Sequence, residues 1–196
     1  MKIFNENNKL VDINNIEVNE QRQARNYINE NDIVLEIGAR YGSVSCIVNS
    51  ILNNKKNQVV VEPDNRVWDA LEKNKKINNC DFEIVKGFIS NKNLKLNYLN
   101  CPYSTFSSEG QSDIPSYKLK DISNLKFNVL IADCEGFLGE FLEENEYLLN
   151  DLRLIIMEQD NPQVCDYDKI ILKLTLEYGF KCIEPGFNCV FIKPQP

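Results

Sequence analysis

The chain reads as an α/β protein built on a mainly parallel sheet, because short apolar runs alternate with amphipathic stretches from residue 33 onward. Two observations sharpen that reading. The run Q-V-V-V-E at 58–62 is β-branched and uninterrupted, as expected of a strand covered on both faces. The segment K-C-I-E-P-G-F-N-C-V-F-I at 181–192 reads as two strands around a Pro-Gly turn, an antiparallel hairpin closing the sheet.

The elements follow in order. Residues 1–16 are polar and Asn-rich, a short β-hairpin or ordered arm, and 18–30 (V-N-E-Q-R-Q-A-R-N-Y-I-N-E) predicts a helix. A buried strand at 33–38 leads into an apolar helix at 43–52, and the strand at 58–62 into a helix at 65–78 with Val67, Trp68, Leu71 and Ile77 on its apolar side. Residues 82–85 make a third strand. The stretch 91–124 is the least regular, with a short strand at 94–99 and a Ser-rich loop at 101–116, a length of loop that is usually functional or mobile. Strands at 127–133 and 152–158 alternate with helices at 138–149 and 167–178.

A chain of 196 residues fits one domain, with an arm and helix at 1–30 and the α/β core at 31–193. No apolar run approaches the ~20 residues of a membrane span, and the first residues lack the apolar core of a signal peptide. Membrane insertion is therefore not expected, and a cytoplasmic location is. The seven cysteines (46, 80, 101, 134, 165, 182 and 189) show no C-x-x-C pair, which predicts reduced, structural thiols. A net charge of −7 disfavours a broad nucleic-acid footprint. Histidine is absent, which removes the commonest general base and metal ligand from any mechanism.

The sharpest local signal is V-L-E-I-G-A-R-Y-G-S at 34–43, a strand running directly into a helix. Ligands of open α/β sheets bind beyond the carboxyl ends of such strands. Gly38 and Gly42 let backbone approach a ligand, the helix start aims unpaired N–H groups at it, and Glu62 ends the next strand where a carboxylate can accept from both ribose hydroxyls. These features suit a dinucleotide equally well, so the glycine spacing decides. A dinucleotide fingerprint places its second glycine where this chain has Arg40, whose side chain would obstruct a diphosphate. The spacing E-x-G-x-x-x-G suits S-adenosylmethionine, which has no phosphate to seat.

This ordered set (E-x-G-x-x-x-G, then V-V-E-P-D, then an apolar strand ending in Asp133) resembles the class I S-adenosylmethionine-dependent methyltransferases over about residues 30–193. The resemblance implies a Rossmann-like fold with a seven-stranded twisted sheet, helices on both faces and a C-terminal antiparallel hairpin. More narrowly, E-I-G-A-R-Y-G and D-C-E-G-F resemble the D-I-G-A-N-x-G and D-x-E-G segments of FkbM-type methyltransferases. The departures are Glu36 for Asp, Arg40 for Asn, and Phe137 where a small residue is common. The resemblance implies Glu36, Gly38 and Gly42 at the methionine end of the cofactor, Glu62 at its ribose, Phe88 against adenine and Asp133 on the cofactor rim.

Methyl transfer needs an acceptor that is positioned and deprotonated. Without histidine that task falls to carboxylates or a bound cation. Asp133 and Glu135 are the candidate catalytic pair, and Asp133, Asp160 and Asn161, at adjacent strand ends, form a candidate Mg²⁺ set. Residues 103–107 are candidates for the acceptor wall, and a sugar, glycan or other small-molecule hydroxyl is the expected acceptor. Two alternatives stand beside this reading. A nucleic-acid methyltransferase would be expected to carry D/N-P-P-Y/F after the fourth strand, where this chain has D-C-E-G, or a Lys near Glu158. A non-catalytic S-adenosylmethionine-binding partner subunit is the other.

Overall fold

The computed structural model describes residues 1–98 and 105–194. The N-terminal arm is the antiparallel pair β1 (Ile3–Phe4) and β2 (Leu10–Val11), followed by helix α1 (Val18–Tyr27). Then come β3 (Val34–Ile37), α2 (Ser43–Ile51), β4 (Gln58–Glu62), α3 (Trp68–Ile77) and β5 (Glu83–Lys86). An excursion follows: β6 (Phe88–Ile89), the strands β7 (Leu94–Tyr98) and β8 (Thr105–Glu109), β9 (Ser116–Tyr117) and the single turn α4 (Leu119–Ile122). The second half contains β10 (Val129–Ala132), α5 (Leu138–Glu144), α6 (Leu148–Asp151), β11 (Leu154–Glu158), α7 (Tyr167–Leu172) with its π-helical turn Lys173–Glu177, β12 (Lys181–Glu184) and β13 (Asn188–Ile192).

Seven strands form the main sheet in the order β12-β13-β11-β10-β3-β4-β5. The run from β11 to β5 is parallel, and β13 is antiparallel to both of its neighbours. This is the expected fold class. The chain winds outward from β3 to β5, returns, and winds the other way through β10 and β11. The reversal therefore falls between β3 and β10, where a ligand crevice opens at the strands' carboxyl ends.

Strand parity assigns each side chain to a face. Val34, Val129, Ile131, Leu154, Ile156 and Val190 pack under α1 and α2 with Ala24, Val44, Ile47 and Val48. Their neighbours Leu35, Ile37, Leu130, Ala132, Ile155, Met157 and Phe191 face Leu138, Phe141, Leu149, Ile170 and Leu174 of the opposite layer. Burying each such side chain contributes about 1.5–3 kcal/mol, so the sheet is held from both sides.

Three elements differ from the sequence reading. The helix expected over 138–149 breaks at Asn145, whose side chain donates to Phe141 O at 2.9 Å and ends the first piece. The last helix widens to a π turn where Thr175 Oγ1 donates back to Ile171 O at 2.8 Å. Part of the Ser-rich loop is the strand β8, paired antiparallel with β7. Its sequence, T-F-S-S-E, has no apolar alternation because all but its last residue are half-buried. No helix among the described residues is long and apolar enough to cross a membrane. The six described cysteines are free thiols, and Cys101 lies outside the described residues.

A buried ion pair fixes the amino-end rim. Asp32 is 2% exposed; it accepts Arg153 Nε at 2.8 Å and Asn128 Nδ2 at 3.1 Å, joining the entries to β3, β10 and β11. The Arg153→Met variant is expected to lose about 3–5 kcal/mol in urea unfolding, because it strands a buried carboxylate. A loss under 1 kcal/mol would show that Asn128 and the Asn29 amide satisfy Asp32 alone.

Candidate functional site

A cleft open to solvent lies over the carboxyl ends of β3, β4 and β10. Gly38 forms its floor: φ is 85°, its N–H donates to Val61 O at 3.0 Å, and a Cβ there would stand 1.5 Å from Asp133 O. Only glycine lets the β3 turn and the β10 turn approach this closely.

Glu62 ends β4 inside the same cleft. Its Oε2 accepts the Arg40 N–H at 2.6 Å and its Oε1 the Asp64 N–H at 2.7 Å, so the carboxylate is aimed by two loops. Burial pushes its pKa up to about 7, against those two backbone hydrogen bonds. The Arg40 amide is thereby spent on a carboxylate. In a dinucleotide fold the amides of this turn would face a diphosphate.

Phe88, on β6, is buried and lines the cleft. Leu96, Thr105, Phe106 and Ser107, from β7 and β8, line it as well. Arg66 ties these strands to the β4 loop: it pairs with Asp64 through Nη2 at 2.6 Å while its guanidinium lies 4.2 Å from the Tyr98 ring centre. Of the expected acceptor wall at 103–107, residues 105–107 therefore line the cleft, and Tyr103 and Ser104 lie outside the described residues.

Glu36 and Gly42 are not among the residues lining the cleft. Parity puts Glu36 on the α2 side, where Oε1 accepts Ser45 Oγ at 2.8 Å and Oε2 accepts Gln58 Nε2 at 3.1 Å. Burial pushes its pKa up to about 8. It links β3, α2 and β4 from within. Gly42, with φ 78°, precedes α2 and its C=O accepts the Cys46 N–H at 3.0 Å.

The D-C-E-G turn carries the candidate catalytic pair, and Asp133, Cys134, Glu135 and Phe137 all line the cleft. Glu135 and Asn161 both adopt left-handed backbone, with φ 53° and 43°, and Asn161 Nδ2 donates to Glu135 Oε2 at 2.7 Å. Asp160 Oδ1 accepts the Gly136 N–H and the Tyr167 hydroxyl, each at 2.7 Å. Of the set expected for Mg²⁺, Asp160 and Asn161 each direct one polar atom at the turn. Among the described residues, Glu20, Asp133 and Glu158 form a group of three carboxylates with oxygens within 4.8 Å of one another.

Glu20 arrives on the buried side of α1 and accepts from Asn188 Nδ2. Burial, then Glu20, pushes Glu158 up to about 8, and burial with Glu158 holds Asp133 well above the usual carboxylate range. Glu17, left-handed at φ 45°, accepts the Ser43 hydroxyl at the start of α2, and burial pushes it up to about 7. None of Glu17, Glu20, Asp133 or Glu158 takes part in an ion pair within 4 Å among the described residues. Sequence reasoning missed Glu17 and Glu20; their one signal is acidic residues where α1 begins.

No family model and no curated protein sequence matches the chain. Solved structures do. An rRNA methylase from Streptococcus thermophilus superposes with a TM-score of 0.57 at 9% identity, over 91% of this chain and 96% of that one. Precorrin-6y C5,15-methyltransferase from Geobacter metallireducens gives 0.52 at 13%, over 89% and 83%. A ribosomal protein L11 methylase from Lactobacillus delbrueckii gives 0.53 at 12%, over 89% and 75%. The chain has the Rossmann-like fold of class I S-adenosylmethionine-dependent methyltransferases.

Proposed function

We propose that the chain binds S-adenosylmethionine in the β3–β10 cleft and transfers its methyl group to a small-molecule hydroxyl, with a sugar or glycan as the first candidate acceptor. The observation that carries the reading is Glu62: a cleft-lining carboxylate aimed by two backbone amides, suited to a ribose diol, beside a turn whose amide is not available for phosphate.

Bound S-adenosylmethionine supplies an electrophilic methyl on a sulfonium, and the chain must supply position and a proton acceptor. Glu62 fixes the ribose. Phe88 and the β7–β8 wall enclose the adenosine end. Asp133 and Glu135, which line the cleft, flank the place where an acceptor O–H would pass its proton to a carboxylate as the O–CH₃ bond forms and the sulfonium S–CH₃ bond breaks. Carboxylates whose proton affinity is raised toward neutrality are better bases than ordinary ones. The D-C-E-G turn supports the FkbM-like reading. RNA is the second reading, and it fits the similar structures named as RNA and rRNA methyltransferases at least as well.

Equilibrium dialysis should retain S-adenosylmethionine and release NAD, and Glu62→Gln should weaken that binding by roughly 10–100-fold, since one backbone amide then faces an NH₂ group. Tighter capture of NAD sinks the cofactor reading. For the acceptor, methyl transfer to polyols but not to RNA at low salt is the expected result, and RNA methylation reverses the order of the two readings.

A further inference from the structure

The geometry points to Asp160 as a positioning residue that sets the D-C-E-G turn through one oxygen, Oδ1, shared between the turn and α7. The turn needs such a device. Glu135 is left-handed, Gly136 has φ 88°, and the space beside Gly136 is closed by Val164 Cβ and Asn161 Cβ at 3.2 and 3.3 Å from where its own Cβ would be. Left-handed backbone at a residue other than glycine persists only where its surroundings impose it.

Asp160 imposes it from the neighbouring strand end. The residue is 8% exposed, and Oδ1 alone receives both the Gly136 N–H and the Tyr167 hydroxyl at 2.7 Å. The hydroxyl anchors the carboxyl to α7, and the amide anchors the turn to the carboxyl. Asn161 completes the clamp at Glu135 Oε2. Asp133, Cys134 and Glu135 therefore meet the cleft in an arrangement set by β11 and α7, elements that follow them in the chain.

Oδ2 is buried and has no hydrogen-bond partner among the described residues, so the link between the turn and α7 runs through Oδ1. Asp160 also adds a like charge beside Glu135 and Glu158 at the rim. An amide at this position would keep the useful acceptor and remove a like charge.

The test compares Asp160→Ala, Asp160→Asn and Tyr167→Phe by hydrogen exchange over residues 133–138 and by S-adenosylmethionine titration. The second readout rests on the proposed cofactor; the first does not. Asp160→Ala should speed exchange in the turn and weaken binding, each by about tenfold. Tyr167→Phe should give a smaller change of the same sign, and it tests the clamp if the alanine variant does not fold. Asp160→Asn should restore wild-type exchange and binding. Asn behaving like Ala would overturn the inference in favour of a charge-dependent role, and so would turn exchange unchanged in both Ala and Phe. Wild-type protein that binds no S-adenosylmethionine but shows the exchange pattern would remove the cofactor reading and leave the positioning role intact.

Discussion

Gly38→Ala is expected to abolish cofactor capture and to destabilise the chain by about 3 kcal/mol or more. Two costs combine. The backbone at φ 85° is strained for any L side chain, and the new methyl group would stand 1.5 Å from Asp133 O, a backbone atom of the adjacent turn. No rotamer relieves a backbone clash, so either β3 or the D-C-E-G turn must shift, and both contribute to the cleft. S-adenosylmethionine binding should weaken at least ~100-fold. Gly42→Ala is the internal comparison. Its φ of 78° carries the same strain, but its methyl meets Leu71 Cδ1 at 2.7 Å, the end of a side chain that can move. Calorimetric titration and thermal unfolding of the two variants should therefore differ: a loss of about 1–2 kcal/mol and modest weakening for Gly42→Ala, near-complete loss of binding for Gly38→Ala. Binding by Gly38→Ala within about threefold of wild type would show that the two turns need not approach so closely.

The contrast between these glycines shows how far the sequence could be read. The strand Gln58–Glu62 was legible to its ends, because a strand buried on both faces is an unbroken β-branched run. Gly38, Glu62 and Asp133 were legible as cleft residues because each sits at the carboxyl end of such a run, where the fold places its ligand. Glu36 lies away from the cleft lining: two-residue periodicity puts it with Val34 on the α2 face, where Ser45 and Gln58 meet it. The β7–β8 wall was only half legible. Strand β8 is polar and half-buried on both sides, and such a strand leaves no period to detect. Glu17 and Glu20 were not legible as partners of Asp133 and Glu158. They lie more than 110 residues away in sequence, and only the packing of α1 against β11 and β13 brings them near.

That gathering of acids has a consequence for stability, and it runs opposite to the common case of paired surface carboxylates. Burial pushes Glu36 and Glu158 up to about 8 and Glu17 and Glu62 up to about 7, each from an ordinary value of 4.5. Below pH 4.5 these groups hold their protons in both folded and unfolded chains, so burial costs little. Between 4.5 and about 8 the unfolded chain releases protons that the folded chain retains, and stability falls as pH rises. Glu184 works in the other direction: hydrogen bonds from Arg22 and Tyr27 hold it down at about 2, so its contribution is present above 4.5 and is lost as pH falls toward 2. The two trends place the stability maximum in the mildly acidic range. A tenfold change in proton affinity is worth about 1.4 kcal/mol, so several such groups acting together should lower the melting temperature by roughly 10 °C between pH 5.5 and 8.5. Glu36→Gln should flatten the slope, since the amide keeps one hydrogen bond of the buried cluster and has no charge to desolvate. Scanning calorimetry across that interval decides the matter. A melting temperature that is flat or rising from pH 5.5 to 8.5 would mean that these carboxylates reach water or find a cation in the folded protein, and the rim would then have to be redrawn as a hydrated or ion-filled surface.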